Sequence, residues 1–406
     1  MNSTTAPRLA LPAGTPAAAR TALQLLQRLQ HGHLTVQLPD GTLRHFGQGG
    51  GGPVAAITLR NWNVCSAALK SGDIGFAETY IAGDWTTPQL TELLKLFIAN
   101  RQQVEGVIYG TWAGRLLYRL KHLLHRNTRT NSQKNIHAHY DLGNAFYALW
   151  LDDTMNYSSA WFEGDTGRDM RTAQQAKVRR ALRMAGVQPG HRVLEIGCGW
   201  GALAEMAVTE CGATLTGVTL STEQLAFAQQ RMARLGAADR ADLRLQDYRD
   251  IADGPYDAIC SIEMVEAVGR EYWPTYFQAV RRLLKPGGRA CIQSIVIDDG
   301  LFERYISSTD FIQQYIFPGG CLPCPREFRR EAAAAGLCVA DEFAFGPDYA
   351  ETLRRWRERF LAQRAQILQL GFDERFLHIW EFYLAYCEAA FDMGNINLVQ
   401  YTLVRE

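Results

Sequence analysis

The chain has 406 residues, of which 47% are hydrophobic and 21% are charged. This length and composition suit two domains with buried cores and exclude a disordered, collagen-like or coiled-coil protein. Its 42 basic and 42 acidic residues balance, which disfavours a globally basic nucleic-acid binder, so no nucleic-acid partner is expected.

Cysteine usage and hydropathy narrow the class further. The nine cysteines are scattered along the chain, which favours a reducing compartment, the cytoplasm, over a disulfide-stabilised secreted domain. Cys321 and Cys324 form one Cys-x-x-Cys pair without a second pair or a nearby histidine pair, so no metal site is predicted. No apolar run reaches the roughly 18 residues that a membrane-spanning helix requires, so any membrane contact is expected to be peripheral.

The first hundred residues predict a tail followed by a small α+β domain. Residues 1–20 are rich in alanine and proline and are expected to be flexible. A helical run over Thr21–Gln30 precedes two strand-like stretches joined by Pro39-Asp40-Gly41, a combination typical of a hairpin. Another strand over Ala55–Leu59 and short helices separated by glycines complete residues 21–100. This segment has no cluster of titratable residues, so it is predicted to be an accessory domain.

Residues 101–135 form a locally basic segment, with seven Lys or Arg between Arg101 and Lys134 against the single Glu105. Apolar and basic residues recur there on different faces of a predicted helix. The apolar set is Trp112, Leu116, Leu120, Leu123 and Leu124, and the basic set is Arg115, Arg119, His122 and Arg126. Such a linker helix suits a lipid surface, with its cations facing phosphates. It equally suits packing on the protein with a solvated basic face, and the pattern leaves both interpretations open.

From His191 onward, predicted strands alternate with predicted helices. The strands are Arg192–Ile196, Thr214–Leu220, Tyr256–Ser261 and Arg289–Val296, and the helices run through Ala207, over Thr222–Leu235 and around Trp273–Leu284. This alternation predicts an α/β, Rossmann-like domain with a mainly parallel sheet. Ligands of such sheets bind beyond the carboxyl ends of the strands.

The sequence EIGCGWG at 195–201 is the first chemical signal, because it follows a strand and opens a helix. Glycines there let a ligand approach the backbone closely. A nicotinamide site predicts Gly-x-Gly-x-x-Gly and an acidic residue at the end of the second strand, whereas this second strand ends in VTLS at 218–221. The Glu-x-Gly-x-Gly-x-Gly pattern instead resembles motif I of class I methyltransferases, which bind S-adenosylmethionine. A turn that serves only the fold is the alternative.

Six blocks resemble the signatures of the cyclopropane-fatty-acyl-phospholipid synthase family. They are HYDLGNAFY at 139–147, MNYSSAW at 155–161, GVTLSTEQ at 217–224, EAVG at 266–269, YIFPGGCLP at 315–323 and FGPDY at 345–349. The resemblance covers most of residues 136–406 and implies a catalytic domain with a seven-stranded, mainly parallel sheet. GDIGFAETYIAGDW at 72–85 is similar to the amino-terminal domain of longer members, which implies a lipid-binding-like accessory domain.

The resemblance implies methyl transfer from S-adenosylmethionine to the cis double bond of an unsaturated phospholipid acyl chain. Loss of a proton from the new methyl group, with ring closure, then gives a cyclopropane. The implied location is the inner face of the membrane, bound peripherally. Whether the chain forms a homodimer is left open.

The resemblance also implies roles for individual residues. Positions that contact the cofactor correspond to Tyr157, Ser158, Glu195, Gly197, Gly199, Gly201, Thr219, Leu220, Gln224 and Tyr248. The family holds a bicarbonate ion that accepts the proton, and its ligands correspond to Ser159, Glu266, Gln293, Ile295 and Tyr349. His139 and Tyr140 are expected at the lipid entrance.

Two of these positions depart from the commonest family pattern. Ser159 replaces a cysteine at a position where the family uses the backbone carbonyl, and Gln293 replaces a histidine. A glutamine amide donates a hydrogen bond to an anion but does not carry a positive charge or relay a proton. A methyl-branched or methylene product without ring closure is therefore the second expectation. A lipid-binding pseudoenzyme and a methyltransferase that acts on a soluble small molecule are further alternatives.

Glu263 lies three residues before Glu266, directly after a predicted core strand. If Ser261–Val268 begins a helix, both carboxylates point the same way. Close carboxylates raise one another's pKa, and one of them could act as a base near a developing cation. The alternative is a pair of solvated surface glutamates. We therefore include Glu263 with the candidate catalytic residues.

Overall fold

The computed structural model describes residues 11–47, 51–104 and 142–406, which divide into two compact units. The first unit comprises residues 11–104 together with 374–389, and the second comprises 142–373 together with 390–406. The predicted boundary at residue 136 and most of the predicted linker helix lie outside the described residues.

The first unit contains three helices and four strands before residue 104. They are α1 (Ala17–Leu26), β1 (His33–Gln37), β2 (Leu43–Phe46), β3 (Val54–Leu59), α2 (Asn63–Ile81), β4 (Trp85–Thr86) and α3 (Leu90–Ala99). The sheet order is β2-β1-β3-β4, with β1 antiparallel to β2 and parallel to β3. The predicted hairpin is present, because Leu34 pairs with Phe46 and the Leu38 N–H donates to the Thr42 carbonyl.

Three expectations for this unit were wrong in detail. Helix α1 begins at Ala17, so the end of the predicted tail is helical, and it ends at Leu26 rather than near residue 30. The predicted short helices form one element, α2, that is kinked at Gly72, where φ is 62°. Residues 374–389 group with this unit although the sequence assigned them to the catalytic domain. The Tyr80 hydroxyl, for example, donates to Glu381 over 2.8 Å.

The second unit contains the following elements in chain order. They are α4 (Asn144–Trp150), α5 (Met170–Met184), β5 (Arg192–Ile196), α6 (Ala202–Thr209), β6 (Thr214–Thr219), α7 (Thr222–Arg234), β7 (Ala241–Leu245), β8 (Tyr256–Ile262), α8 (Trp273–Leu283), β9 (Leu284–Ile297), α9 (Phe302–Ile306), α10 (Phe311–Tyr315), α11 (Pro325–Ala334), β10 (Leu337–Ala344), α12 (Gly346–Ala362), α13 (Arg364–Gln369), α14 (Glu374–Asp392, which begins in the first unit) and β11 (Ile396–Arg405).

The seven strands of this unit follow the order β10-β11-β9-β8-β5-β6-β7. The strands from β9 to β7 are parallel, and β11 runs antiparallel to both β9 and β10. The predicted seven-stranded, mainly parallel, Rossmann-like sheet is therefore confirmed. Each predicted strand and helix of this part is present, with ends that differ from the prediction by a few residues.

Alternate residues of the central strands pack into two separate apolar cores. Leu194 and Ile259 belong to one core, whereas their neighbours Val193 and Ala258 belong to the other. Because successive side chains of a strand point to opposite faces, the sheet is covered on both sides. The carboxyl ends of β5, β6 and β8 are thereby held at a common edge of a rigid sheet.

Candidate active site

A cleft opens at the carboxyl ends of β5, β6 and β8, where the topology predicts a ligand. Its walls are the glycine turn after β5, the end of β6, residues 246–249 after β7 and residues 262–264 after β8. The segment Met155–Ser158 lines it as well. All ten predicted cofactor-contacting residues except Gly201 line this cleft, so the structure brings them together.

The three glycines of the turn do different work. All have positive φ, with values of 87° at Gly197, 49° at Gly199 and 82° at Gly201. A Cβ on Gly201 would come within 3.0 Å of Ala228, so this glycine allows α6 to pack against α7. A Cβ on Gly199 would meet nothing within 4 Å, so its Cα faces the open cleft. Gly199 is therefore the point at which a ligand can approach the backbone most closely.

Hydrogen bonds fix the polar groups at the end of β6. The Thr219 hydroxyl donates to Oε1 of Gln224 over 3.0 Å, and Ser221 caps α7 by accepting from the Gln224 N–H over 3.2 Å. Because Oε1 is engaged, Nε2 is the end of the Gln224 side chain that can donate to a ligand. After β7, Tyr248 is nearly buried in the cleft wall, next to Asp247.

Glu195 supplies an unsatisfied acceptor in the same cleft. Its side chain is buried, and its Oε2 has no hydrogen-bond partner among the described residues. Burial raises the pKa of Glu195, against the attraction of Lys177 and Arg231. A buried acceptor without a partner is unfavourable unless a ligand donates to it. This acceptor, the open side of Gly199 and the Tyr248 ring together fit S-adenosylmethionine, which carries hydroxyl and amino donors and a flat adenine.

Lys177 was missed by the sequence analysis. Its side chain is fully buried, and Nζ donates to the Ser158 hydroxyl over 2.5 Å and to Asn156 Oδ1 over 3.3 Å. Burial lowers its pKa to about 8, against the attraction of Glu263, Asp152 and Glu195. The available signal was helical spacing, because Lys177 lies four residues from both Ala173 and Ala181 on the buried face of α5. Lys177 thus holds the segment that carries Tyr157 and Ser158.

A second polar cluster surrounds Glu263. Its Oε1 accepts from the Ser159 backbone N–H over 2.9 Å and from Gln293 Nε2 over 2.7 Å. Its Oε2 accepts from the Tyr349 hydroxyl over 2.6 Å. Four of the six predicted catalytic residues therefore meet at one carboxylate, although they are far apart in sequence.

The helix proposed for Ser261–Val268 is wrong. Strand β8 continues to Ile262, and a short 3-10 turn covers Val265–Ala267. Between them Glu263 has φ of 51°, a left-handed conformation that costs a side-chain-bearing residue about 1–2 kcal/mol. Its N–H donates to the Gln293 carbonyl over 2.8 Å. This conformation turns the Glu263 side chain toward the donors, so the two glutamates are neighbours for a reason other than helical spacing.

Glu266 and Ile295 form the adjoining pair. The Ile295 N–H donates to Oε1 of Glu266, and Oε2 of Glu266 is buried with no hydrogen-bond partner among the described residues. Burial, and then repulsion from Glu263, raises the pKa of Glu266 to about 8. Burial also raises the pKa of Glu263, but Lys177 and the three donors oppose that change. At neutral pH the proton is therefore on Glu266 and the negative charge is on Glu263.

A chain of amides behind Glu263 was also missed. Gln400 Nε2 donates to Gln293 Oε1 over 2.9 Å, and Arg180 donates to Gln400 Oε1 over 2.7 Å. Arg180 also contacts Asp341 over 3.1 Å. Because a guanidinium only donates, it fixes Gln400 and hence the direction in which Gln293 donates. These residues lie on α5, β9 and β11, and no sequence spacing relates them.

Several predictions fall outside this description. His139, Tyr140 and the basic helix around Arg115 lie outside the described residues. Within the described ranges, no group of three or more histidine, cysteine or acidic side chains is placed to hold a metal ion. None of the helices in those ranges has the length and hydropathy needed to cross a bilayer.

Comparisons with known proteins agree with this geometry. The family model for mycolic acid cyclopropane synthetase matches residues 127–401. Tuberculostearic acid methyltransferase UfaA1 of Mycobacterium tuberculosis is 38% identical over 98% of this chain and 94% of its own. Cyclopropane-fatty-acyl-phospholipid synthase of Escherichia coli K12 is 33% identical over 87% and 89%, respectively. Among solved structures, mycolic acid cyclopropane synthase CmaA1 complexed with SAH and CTAB has a TM-score of 0.63 at 33% identity, covering 67% of this chain and 97% of that one.

Proposed function

Because this chain belongs to the mycolic acid cyclopropane synthetase family of class I methyltransferases, we propose that it transfers a methyl group from S-adenosylmethionine to the cis double bond of an unsaturated phospholipid acyl chain. The leading product is a cyclopropane-containing acyl chain. The printed activities of UfaA1 and of the Escherichia coli synthase both concern lipids, which supports an acyl-chain substrate.

One observation carries the proposal. A carboxylate held by three donors, that of Glu263, lies in the wall of the cleft that the glycine turn and Tyr157 also line. An alkene has no acidic proton to remove before it attacks a methyl group, but the attack leaves a positive charge on carbon. A fixed carboxylate and an aromatic face stabilise such a charge.

The chain's own residues then have defined tasks. Bound S-adenosylmethionine supplies an electrophilic methyl group. The glycine turn, Gln224 and Glu195 would bind and orient the cofactor. Tyr157 packs within 5.5 Å of the rings of Tyr147, Trp150 and Trp356, and this aromatic wall would exclude water from the cationic stage.

Transfer of label tests the proposal. Purified protein is incubated with methyl-labelled S-adenosylmethionine and vesicles of an unsaturated phospholipid, with saturated vesicles as the control. We expect label in the acyl chains of the unsaturated lipid alone. Label only in a water-soluble acceptor would favour the soluble-substrate alternative, and no label in any lipid would favour the pseudoenzyme.

Methylation without ring closure is the second candidate product, and Gln293 is the observation that favours it. Its amide accepts from Gln400 and donates to Glu263, so it orients a base without relaying a proton. If the proton leaves from a neighbouring chain carbon, the product is a methylene or methyl-branched chain. Proton resonance of the released fatty acid distinguishes the upfield signals of a three-membered ring from those of an exocyclic methylene or a branch.

We also propose peripheral binding to the inner face of the cytoplasmic membrane, where the substrate lies. This proposal rests on the basic sequence of residues 101–135. Reversing Arg115, Arg119 and Arg126 to Glu should weaken binding to anionic vesicles while activity on detergent-dispersed lipid is retained. Equal loss in both assays would indicate a folding role for the segment.

A further inference from the structure

The six predicted catalytic residues are not equivalent in the structure. Of these six, Glu263 is the one that lines the cofactor cleft as the described residues form it. Gln293, Tyr349 and Ser159 donate to its carboxylate. These three residues therefore touch Glu263, and Glu263 faces the reacting groups.

The donors implied by the family resemblance to hold bicarbonate do not fit that ion here. Bicarbonate and a glutamate side chain both present two oxygens on one planar carbon, and so compete for the same hydrogen-bond donors. The amide of Gln293 and the hydroxyl of Tyr349 each donate to Glu263, at 2.7 and 2.6 Å. The Ser159 N–H completes the set at 2.9 Å. A resident carboxylate already occupies the anion position.

We propose that Glu263 itself accepts the proton released after methyl transfer, so that the reaction requires no bicarbonate. This inference rests on the proposed function. The π electrons of the substrate form the new bond to the methyl carbon as the carbon–sulfur bond breaks, and sulfur keeps that electron pair. A C–H bond next to the carbocation then gives its proton to Glu263. The electrons of that bond form either the third side of the ring or a new double bond.

The surroundings suit a base. Lys177 lies near Glu263 and favours its ionised form, whereas burial makes the carboxylate more basic than it is in water. The left-handed backbone at Glu263 and its N–H bond to the Gln293 carbonyl hold the side chain at one place. Gln293, Tyr349 and Ser159 are therefore positioning residues for this base.

Binding of carbon-13-labelled bicarbonate, followed by carbon resonance, tests the inference without any lipid. Glu263→Ala removes the resident carboxylate and exposes the three donors, so we expect this variant to bind bicarbonate while the wild-type protein does not. The matched control is the double variant Glu263→Ala with Gln293→Leu, which lacks one donor and should bind more weakly. Wild-type binding that the Gln293→Leu substitution weakens, or equal binding by the two variants, would overturn the proposal.

Turnover supplies the second arm. In buffer freed of carbon dioxide, wild-type activity should be unchanged by added bicarbonate. Glu263→Gln, which keeps the shape of the side chain, should lower kcat by about 100-fold or more, the usual effect of losing a general base, and leave S-adenosylhomocysteine affinity unchanged. Added bicarbonate or formate should partly restore Glu263→Ala. A bicarbonate requirement in the wild type, or full activity in Glu263→Gln, would refute the role.

The two arms separate two failures. If the wild-type protein methylates no lipid, the proposed function fails, and the bicarbonate-binding experiment still decides whether Glu263 occupies the anion position. If the wild-type protein methylates lipid but depends on bicarbonate, the proposed function stands and the inference about Glu263 fails.

Discussion

The buried carboxyl group of Glu266 makes the stability of this protein depend on pH in a way that one substitution should remove. Its pKa is raised from 4.5 to about 8. An unfolded chain releases this proton near pH 4.5, whereas the folded chain keeps it until about pH 8. The stabilisation is therefore fully present below pH 4.5 and is lost as the pH rises through about 8.

The size of the effect follows from the two pKa values. At about 1.4 kcal/mol for each pKa unit, the difference corresponds to about 5 kcal/mol, an upper value because Glu263 is coupled to the same titration. For a unit of this size, 1 kcal/mol shifts Tm by about 2–4 °C, so the full effect is on the order of 10 °C. Glu266→Gln keeps an acceptor for the Ile295 N–H and removes the titration.

The assay is thermal unfolding of wild type and Glu266→Gln, monitored by fluorescence between pH 5 and 9. The Tm of the variant should rise relative to that of the wild type as the pH increases, and the difference should level off above the pKa of Glu266. Glu271→Gln is the control, because Glu271 is an exposed glutamate in the same segment. A difference that does not change with pH would refute a buried, protonated Glu266.

Three further perturbations probe the cleft and its supports. Gly199→Ala should weaken S-adenosylhomocysteine binding by tenfold or more because its Cβ would enter the cleft, whereas Gly236→Ala, which also has positive φ and open surroundings, should change Tm by a similar amount without affecting binding in a titration. Arg180→Met should lower kcat by about tenfold with little change in cofactor KM, since losing one charged hydrogen bond of about 1.5–3 kcal/mol frees the Gln400 amide to turn; unchanged kcat would contradict the amide chain. Lys177→Met should lower Tm by several degrees and reduce kcat because it leaves buried carboxylates uncompensated, and a wild-type Tm would contradict that role.

Much of the second unit was predictable from the sequence because its signals are local. Strands such as Arg192–Ile196 are short apolar runs bounded by turns, and the following glycines mark where a parallel sheet binds its ligand. Local signals placed Gly199, Thr219 and Gln224 together correctly. They needed only the rule that the carboxyl ends of parallel strands share one edge.

The catalytic cluster was less accessible because its geometry depends on long-range contacts and on one unusual backbone angle. Spacing brought Glu263 and Glu266 to attention through a helix that does not form. The left-handed φ of Glu263 has no signal in a single sequence, since a residue with a side chain rarely adopts it. Arg180 and Gln400 are 220 positions apart, and only the fold brings them into contact. Lys177 was the exception, because its position among alanines on α5 was visible.

The twisted backbone beneath Glu263 ties the base to the scaffold. A dissolved ion reaches an enzyme at a rate set by its supply, and that supply changes with respiration and with the acidity of the surroundings. A tethered carboxylate is present at the same effective concentration in every catalytic cycle. Lipid remodelling by this enzyme would then follow the availability of methyl donor and membrane, independently of how much carbon dioxide the cell holds.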